Sequence, residues 1–230
     1  MTVVEILSAI STRLNDLSTA GLPATGQIYY TETEALTAID EAQKFFSLLT
    51  LCLESSGTVP LTSGTCFYSI RDYLTGFLVP LRVSVSGVRL RPAGIADLDG
   101  RYYTWQNTPG TPERYLQAGM NLFAVVPQPT GSTSATVLFA REYTTVSSSG
   151  DSLESPREYH PAIVAYGLYY LLQKRGGQYL QYAITEWQKY LTAASQCADY
   201  VRRRNRARQY DTLPFEHRLP VKKEGALANG

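Results

Sequence analysis

The chain reads as an α+β protein: a four-helix bundle built from N- and C-terminal helix pairs, an antiparallel sandwich- or barrel-like β block inserted between them, and an extended C-terminal arm. Three observations carry this. Apolar residues recur at helical spacing over residues 1–57 and 151–208. They alternate with a period of two over residues 58–150. Five arginines fall within seven residues (Arg202, Arg203, Arg204, Arg206 and Arg208) where the last helical pattern gives out, leaving residues 209–230 as the arm.

In the first segment Val3, Leu7, Ile10, Leu14 and Leu17 mark one stripe of a helix, and Thr2 with Glu5 has the spacing of a capping box. Gly21, Pro23 and Gly26 break the pattern. Thr33 is the expected cap of a second helix, whose row Leu36, Ile39, Phe46, Leu49 and Leu53 is widened by Phe45, Leu48 and Cys52; Ser55-Ser56-Gly57 is expected to end it. In the β block, Ser86-Gly87 fits a two-residue hairpin turn that pairs Val85 with Val88, Val83 with Leu90, Ser84 with Arg89 and Arg82 with Arg91. The opposed arginines call for neutralisation by Asp97 and Asp99, or by a charged partner. Tyr102–Trp105, Tyr115-Leu116, Asn121–Val126 and the alternating Ala135, Val137, Phe139 and Tyr143 supply further strands of a small antiparallel block; with no helical pattern between them, parallel βαβ units are not expected.

Ser147-Ser-Ser-Gly150 reads as a flexible joint. A third helix starts near Glu158, with Pro161 in its first turn, and stops at Gly176-Gly177. Ile184, Trp187, Leu191, Ala194, Ala198 and Val201 give the fourth a heptad-like seam, so the two should form an antiparallel hairpin.

Charge is unevenly placed. The whole chain is +1, but residues from Arg202 onward hold eight Lys/Arg against three acids, or +5, and residues 1–201 hold 13 against 17, or −4. A basic end on a near-neutral body points to a partner the body does not touch: protein, nucleic acid or anionic lipid. At 100° per residue the five arginines ring the helix instead of striping it, which fits a projecting end; cations at a helix C-terminus are also favoured by its dipole, a solvated end that accounts for one or two of them. Protein docking and nucleic-acid contact both stay open. So do two readings of the 17 tyrosines, as subunit interfaces or as half-wet strand surface.

Nothing points to an enzyme. His160 and His217 lack ligand-spaced companions, and His160 beside Pro161 reads as a cap or local hydrogen-bonding residue. There is no GxSxG, GxxxxGK[ST] or GxGxxG, and Asp97-Leu-Asp99 suits a local turn better than an acid pair across a cleft. No catalytic residue, metal or cofactor is expected. Cys52, Cys66 and Cys197 are too scattered for a disulfide framework and read as buried free thiols in a reducing compartment; the first residues lack the basic start of a signal peptide, and no apolar run is long enough to span a membrane.

The order of several local stretches resembles the head-to-tail adaptor (connector, neck) proteins of tailed bacteriophages. They are Ala38-Ile-Asp-Glu-Ala-Gln43, Leu81-Arg-Val followed by Ala96-Asp-Leu-Asp99, Trp105 with Thr108-Pro-Gly-Thr-Pro-Glu-Arg-Tyr115, Leu122-Phe-Ala-Val-Val-Pro-Gln-Pro129, and Glu158-Tyr-His-Pro-Ala-Ile-Val-Ala-Tyr166, together covering most of residues 1–200. The resemblance implies a virion protein assembled in the host cytoplasm. It implies a ring of identical copies, usually twelve, below the portal, with DNA passing through unread. The helices would build the ring, the β part would meet the next neck or tail protein, and the C-terminal end (Arg202, Arg203, Arg204, Arg206, Arg208, Tyr210, Leu213, Phe215) would dock on the portal. Arg82, Arg89 and Arg91 would face the DNA channel or a neighbouring subunit. The other class of function is a basic nucleic-acid-binding module that uses the Arg202–Arg208 helix end.

Overall fold

A computed structural model describes residues 2–19, 30–101, 104–119 and 121–214, and they form an α+β protein of two compact units. One takes the chain up to Thr50 and Thr145–Tyr200; the other takes Leu51–Thr144 and Val201–Leu213.

The helical unit holds α1 (Val3–Thr19), α2 (Glu32–Thr50), α4 (His160–Arg175) and α5 (Tyr179–Ala207) up to Tyr200. α1 starts with the expected capping box: Glu5 N donates to Thr2 Oγ1, and Thr2 N to Glu5 Oε2. The cap of α2 lies two residues before Thr33, because Thr31 and Glu34 close the same reciprocal box and the helix starts at Glu32. Val3, Ile6, Ile10 and Leu14 are buried. α1 and α4 approach closely where Gly167 faces Ile10; a Cβ on Gly167 would lie 2.5 Å from the Ile10 Cδ1. Tyr190 is fully buried beneath Phe45 and Phe46 and donates its hydroxyl to Ala42 O.

The buried seam of α5 differs from the expected one. It runs through Ala183, Tyr190, Ala194, Cys197, Ala198 and Val201 and continues to Asn205, while Ile184 is exposed. The glycine stop of α4 is as expected, with Gly176 and Gly177 both at positive φ. The Ser147–Gly150 joint is an ordered turn: Asp151 accepts the Ser147 and Ser148 amides and the Ser148 hydroxyl, and these bonds hold its carboxyl below the usual range.

The β unit has two four-stranded sheets. One has the order β1 (Glu54–Leu61), β10 (Thr133–Arg141), β3 (Phe77–Val85), β4 (Val88–Arg89). The other has the order β2 (Phe67–Ser69), β8 (Leu122–Val126), β7 (Arg114–Ala118), β5 (Arg91–Pro92). Their inner faces share one apolar cluster that includes Val59, Phe77, Val83, Val137 and Phe139 from the first and Tyr68, Tyr115, Phe123 and Val125 from the second, as in a sandwich. Among the described residues the sheets do not close into a barrel. The alternate side chains Leu116, Ala124 and Val126 pack with Leu98 and Trp105 on the outer face, so β8 is buried on both sides and reads as an unbroken apolar run. Leu98 comes from α3 (Ile95–Arg101).

Several expectations are corrected here. Ser55-Ser56-Gly57 lies inside β1, and α2 stops at Thr50, where Leu51 takes φ 51°. Gly57 is a packing glycine, since a Cβ there would sit 2.4 Å from Leu74 Cδ2. The Ser86-Gly87 turn and the Ser84–Arg89 and Val85–Val88 pairs are as expected, but Arg91 does not oppose Arg82. The chain leaves β3 after Leu90, and Arg91 pairs in parallel with Arg114. A second parallel pair joins β6 (Pro109–Gly110) to β9 (Gln128–Pro129). The segment expected as strand Tyr102–Trp105 holds a turn at Thr104 and a 3₁₀ turn from Trp105, with 102 and 103 outside the described residues. Asp97 and Asp99 sit on α3, and Asp99 accepts the Trp105 indole N–H at 2.8 Å, a local role.

Candidate functional site

The site begins with how α5 ends. Gln209 adopts φ 55°, its amide donates to Arg206 O at 3.0 Å, and Tyr210 N donates to Asn205 O at 2.9 Å. This is the paired 5→2 and 6→1 pattern of a Schellman C-cap, here with glutamine in the left-handed position that glycine usually fills. Asn205 is fully buried and donates Nδ2 to Thr212 O at 3.3 Å, closing the turn from inside.

Beyond the cap the chain covers an open sheet edge. β4 is only two residues long, so β3 has free carbonyls at Pro80 and Leu81. Asp211 N donates to Leu81 O at 2.8 Å, and Thr212 Oγ1 donates to Pro80 O at 2.6 Å. Filling an edge in this way removes a template for unwanted strand pairing. Tyr210 packs against Leu51, Leu81 and Ala140.

Three charge contacts fix this stretch. Arg204 Nη2 meets Glu54 Oε1 at 2.5 Å, an ion pair outside hydrogen-bond alignment, and Arg208 Nη1 meets Glu54 Oε2 at 3.1 Å. The Tyr210 hydroxyl donates to the same Oε2 at 3.3 Å. Arg89 Nη2 bonds Asp211 Oδ1 at 2.7 Å and Gln209 O at 2.5 Å. The other Asp211 oxygen accepts from the Tyr115 hydroxyl at 3.0 Å. Burial, and then the nearby Asp211 charge, pushes the Tyr115 hydroxyl pKa far above its usual value, so this phenol stays protonated and donates.

The arginine run is therefore sorted by face. Arg204 and Arg208, four residues apart, turn to Glu54, while Arg203 and Arg206 are solvent-exposed and have no ion pair among the described residues. Arg202 is half-buried. Leu213 is half-buried, and Phe215 and His217 lie outside the described residues. Arg89 is engaged within the chain. Arg82 is exposed on β3, and exposed Arg91 shares a groove of about 680 Å³ with Arg89 and Arg114. Sequence reasoning missed Glu54, Tyr115, Asn205, Asp211 and Thr212. Asn205 had a signal, since it continues the 194, 198, 201 spacing by one more step of four.

The rest of the chain offers little chemistry. Among the described residues no three His, Cys, Asp or Glu gather as a metal would need, and no helix is long and apolar enough to cross a membrane. His160 Nε2 bonds the Ser155 carbonyl at 2.9 Å, a local contact as expected, and burial lowers its pKa. Cys66 and Cys197 are buried as expected, but Cys52 is only half-buried, with its Sγ 2.8 Å from the Tyr143 hydroxyl; none of the three forms a disulfide.

No curated protein matches the chain. A family model described as SU10 adaptor protein matches residues 1–212. The match runs through both units and stops at Thr212, the residue whose hydroxyl holds Pro80. With 212 of 230 residues matched, the chain belongs to the SU10 adaptor protein family, a family of phage head–tail adaptors.

Proposed function

We propose that the protein is a structural head-to-tail adaptor of a tailed phage. Its copies form a ring, twelve by resemblance, that joins the portal to the next neck or tail protein and lets DNA pass without reading it. Its helices act as the four-helix bundle that builds the ring. The β unit meets the downstream component. The exposed arginines of α5 that have no ion pair among the described residues, Arg203 and Arg206, together with the residues beyond Leu213, dock on the portal. Assembly takes place in the host cytoplasm, and the role is structural, not catalytic.

The observation that carries this reading is the family match across residues 1–212. The anchoring of residues 209–212 supports it: a chain that must present the residues after them to a partner gains from a fixed starting point, because less ordering is then left to be done on binding. The alternative of a free-standing nucleic-acid module is the weaker reading, since Arg204, Arg208 and Arg89 are held by Glu54 and Asp211. That alternative requires duplex affinity that falls with salt at a slope of about −0.9 per phosphate contacted. The adaptor reading is tested by mixing the purified protein with portal rings and weighing the product. A complex with several copies per portal supports it, and salt-dependent DNA binding without portal binding contradicts it.

A further inference from the structure

We infer that the helical unit carries two complementary surfaces, and that in the ring the α2 face bearing Glu41, Phe45 and Leu48 of one copy seats in the groove between α1, α4 and α5 of the next. This rests on the adaptor reading and goes further, since it assigns the faces that meet.

The first surface is an aromatic shelf. Glu41, Phe45 and Leu48 lie at i, i+4 and i+7 on one side of α2, away from its buried face. Leu48 is 49% exposed, and Phe45 is only half-buried. Phe45 stacks on Trp187 (5.9 Å between centroids, 17°), which lies 4.9 Å from Tyr169 and 5.6 Å from buried Tyr190. Tyr166 closes the cluster edge-on against Tyr190 and points its hydroxyl at Glu41 Oε2, 3.5 Å away. These are rigid rings with one side packed and one side open, the type of anchor that dominates protein interfaces.

The second surface is concave. A groove of about 460 Å³ has a floor of Ala162, Ala165, Leu168 and Ala193, with Tyr182 and Arg13 at its rim. Small floor residues leave room for large ones from outside. The Glu186 charge at this rim is already met by Lys189 at 2.5 Å, whereas Arg13 is exposed and has no ion pair among the described residues.

Shape and charge match. The shelf projects an aliphatic and aromatic row beside a carboxylate, and the groove offers an apolar floor beside an open guanidinium. The groove residues of α5 (Tyr182, Glu186, Lys189, Ala193) lie about 100–160° around the helix from Trp187 at 100° per residue. A ring of identical copies requires two different patches on each subunit, because its interfaces are heterologous.

The test uses the full chain with Arg13→Glu, with Glu41→Arg, and with both, assembled on portal rings and weighed by native mass spectrometry, after circular dichroism has shown each to be folded. Each single reversal places like charges together and is expected to raise the concentration for half-assembly about tenfold or more; the double reversal is expected to return it near wild type. Single variants that assemble normally, or a double variant that is not restored, overturn the pairing while the adaptor reading stands. If the wild-type protein forms no ring, the adaptor reading falls and this inference with it. A second arm pairs Leu48→Cys with Ala193→Cys: crosslinks between copies support the inference, and crosslinks confined to single chains overturn it.

Discussion

Arg89 and Asp211, 122 residues apart in the chain, meet at 2.7 Å, and the Asp211 carboxylate, which also accepts the buried Tyr115 hydroxyl, pins residues 209–212 to the β unit. The contact ties the chain just past α5 to β4 through Arg89 and to β7 through Tyr115.

Replacing Asp211 with alanine leaves the Tyr115 hydroxyl, on a residue only 3% exposed, without its acceptor, and it frees Arg89. An orphaned buried donor costs about 1–3 kcal/mol. For a chain of this size that is a loss of roughly 2–4 °C in melting temperature per kcal/mol, read by scanning calorimetry. Asp211→Asn keeps an acceptor oxygen and is expected to lose less.

Gln209 pays the left-handed penalty at the helix cap, while its side chain is exposed. Gln209→Gly is therefore expected to stabilise the protein by about 0.5–1 kcal/mol, and Gln209→Val to destabilise it. Urea midpoints with an unchanged slope check both.

The position of a truncation decides its effect. A chain ended after Leu213 keeps Asn205, the cap and the Thr212–Pro80 bond, and is expected to melt close to wild type while losing portal binding. A chain ended after Arg204 removes a fully buried residue together with the edge cover of β3, and is expected to lose cooperative unfolding of the β unit. Equal melting curves for the two truncations would contradict this account.

His160 is 3% exposed, and burial lowers its pKa from 6.5, with the Ser155 carbonyl partly opposing. Below pH 6.5 the unfolded chain takes up a proton that the folded chain resists. Stability from this residue is thus complete above about pH 6.5 and drains away as the pH falls toward the lowered folded value. His160→Gln is expected to flatten the fall of the melting temperature below about pH 6.5 relative to wild type.

The helices were legible because apolar spacing and caps are local signals: Thr2 with Glu5, Gly176 with Gly177, and Pro161 in a first turn all stand in the sequence as they stand in the fold. The Ser86-Gly87 hairpin was legible for the same reason. What escaped depended on distant partners. Ser55-Ser56-Gly57 has the composition of a turn, yet β10 draws it into an eight-residue ladder. Arg91 leaves its hairpin because β7 offers a parallel partner. At the candidate site the arginine cluster was plain from composition, but its sorting was not. Glu54, far away in the chain, selects Arg204 and Arg208 from the five, and no local pattern announces it.

Electron cryo-microscopy of the full chain bound to its portal tests the central claim most directly. The account predicts a closed ring of identical copies coaxial with the portal, α2 of each copy against α1, α4 and α5 of the next, and the residues beyond Leu213 against the portal. A portal that recruits no ring, or isolated copies held on DNA through the exposed arginines, would contradict it.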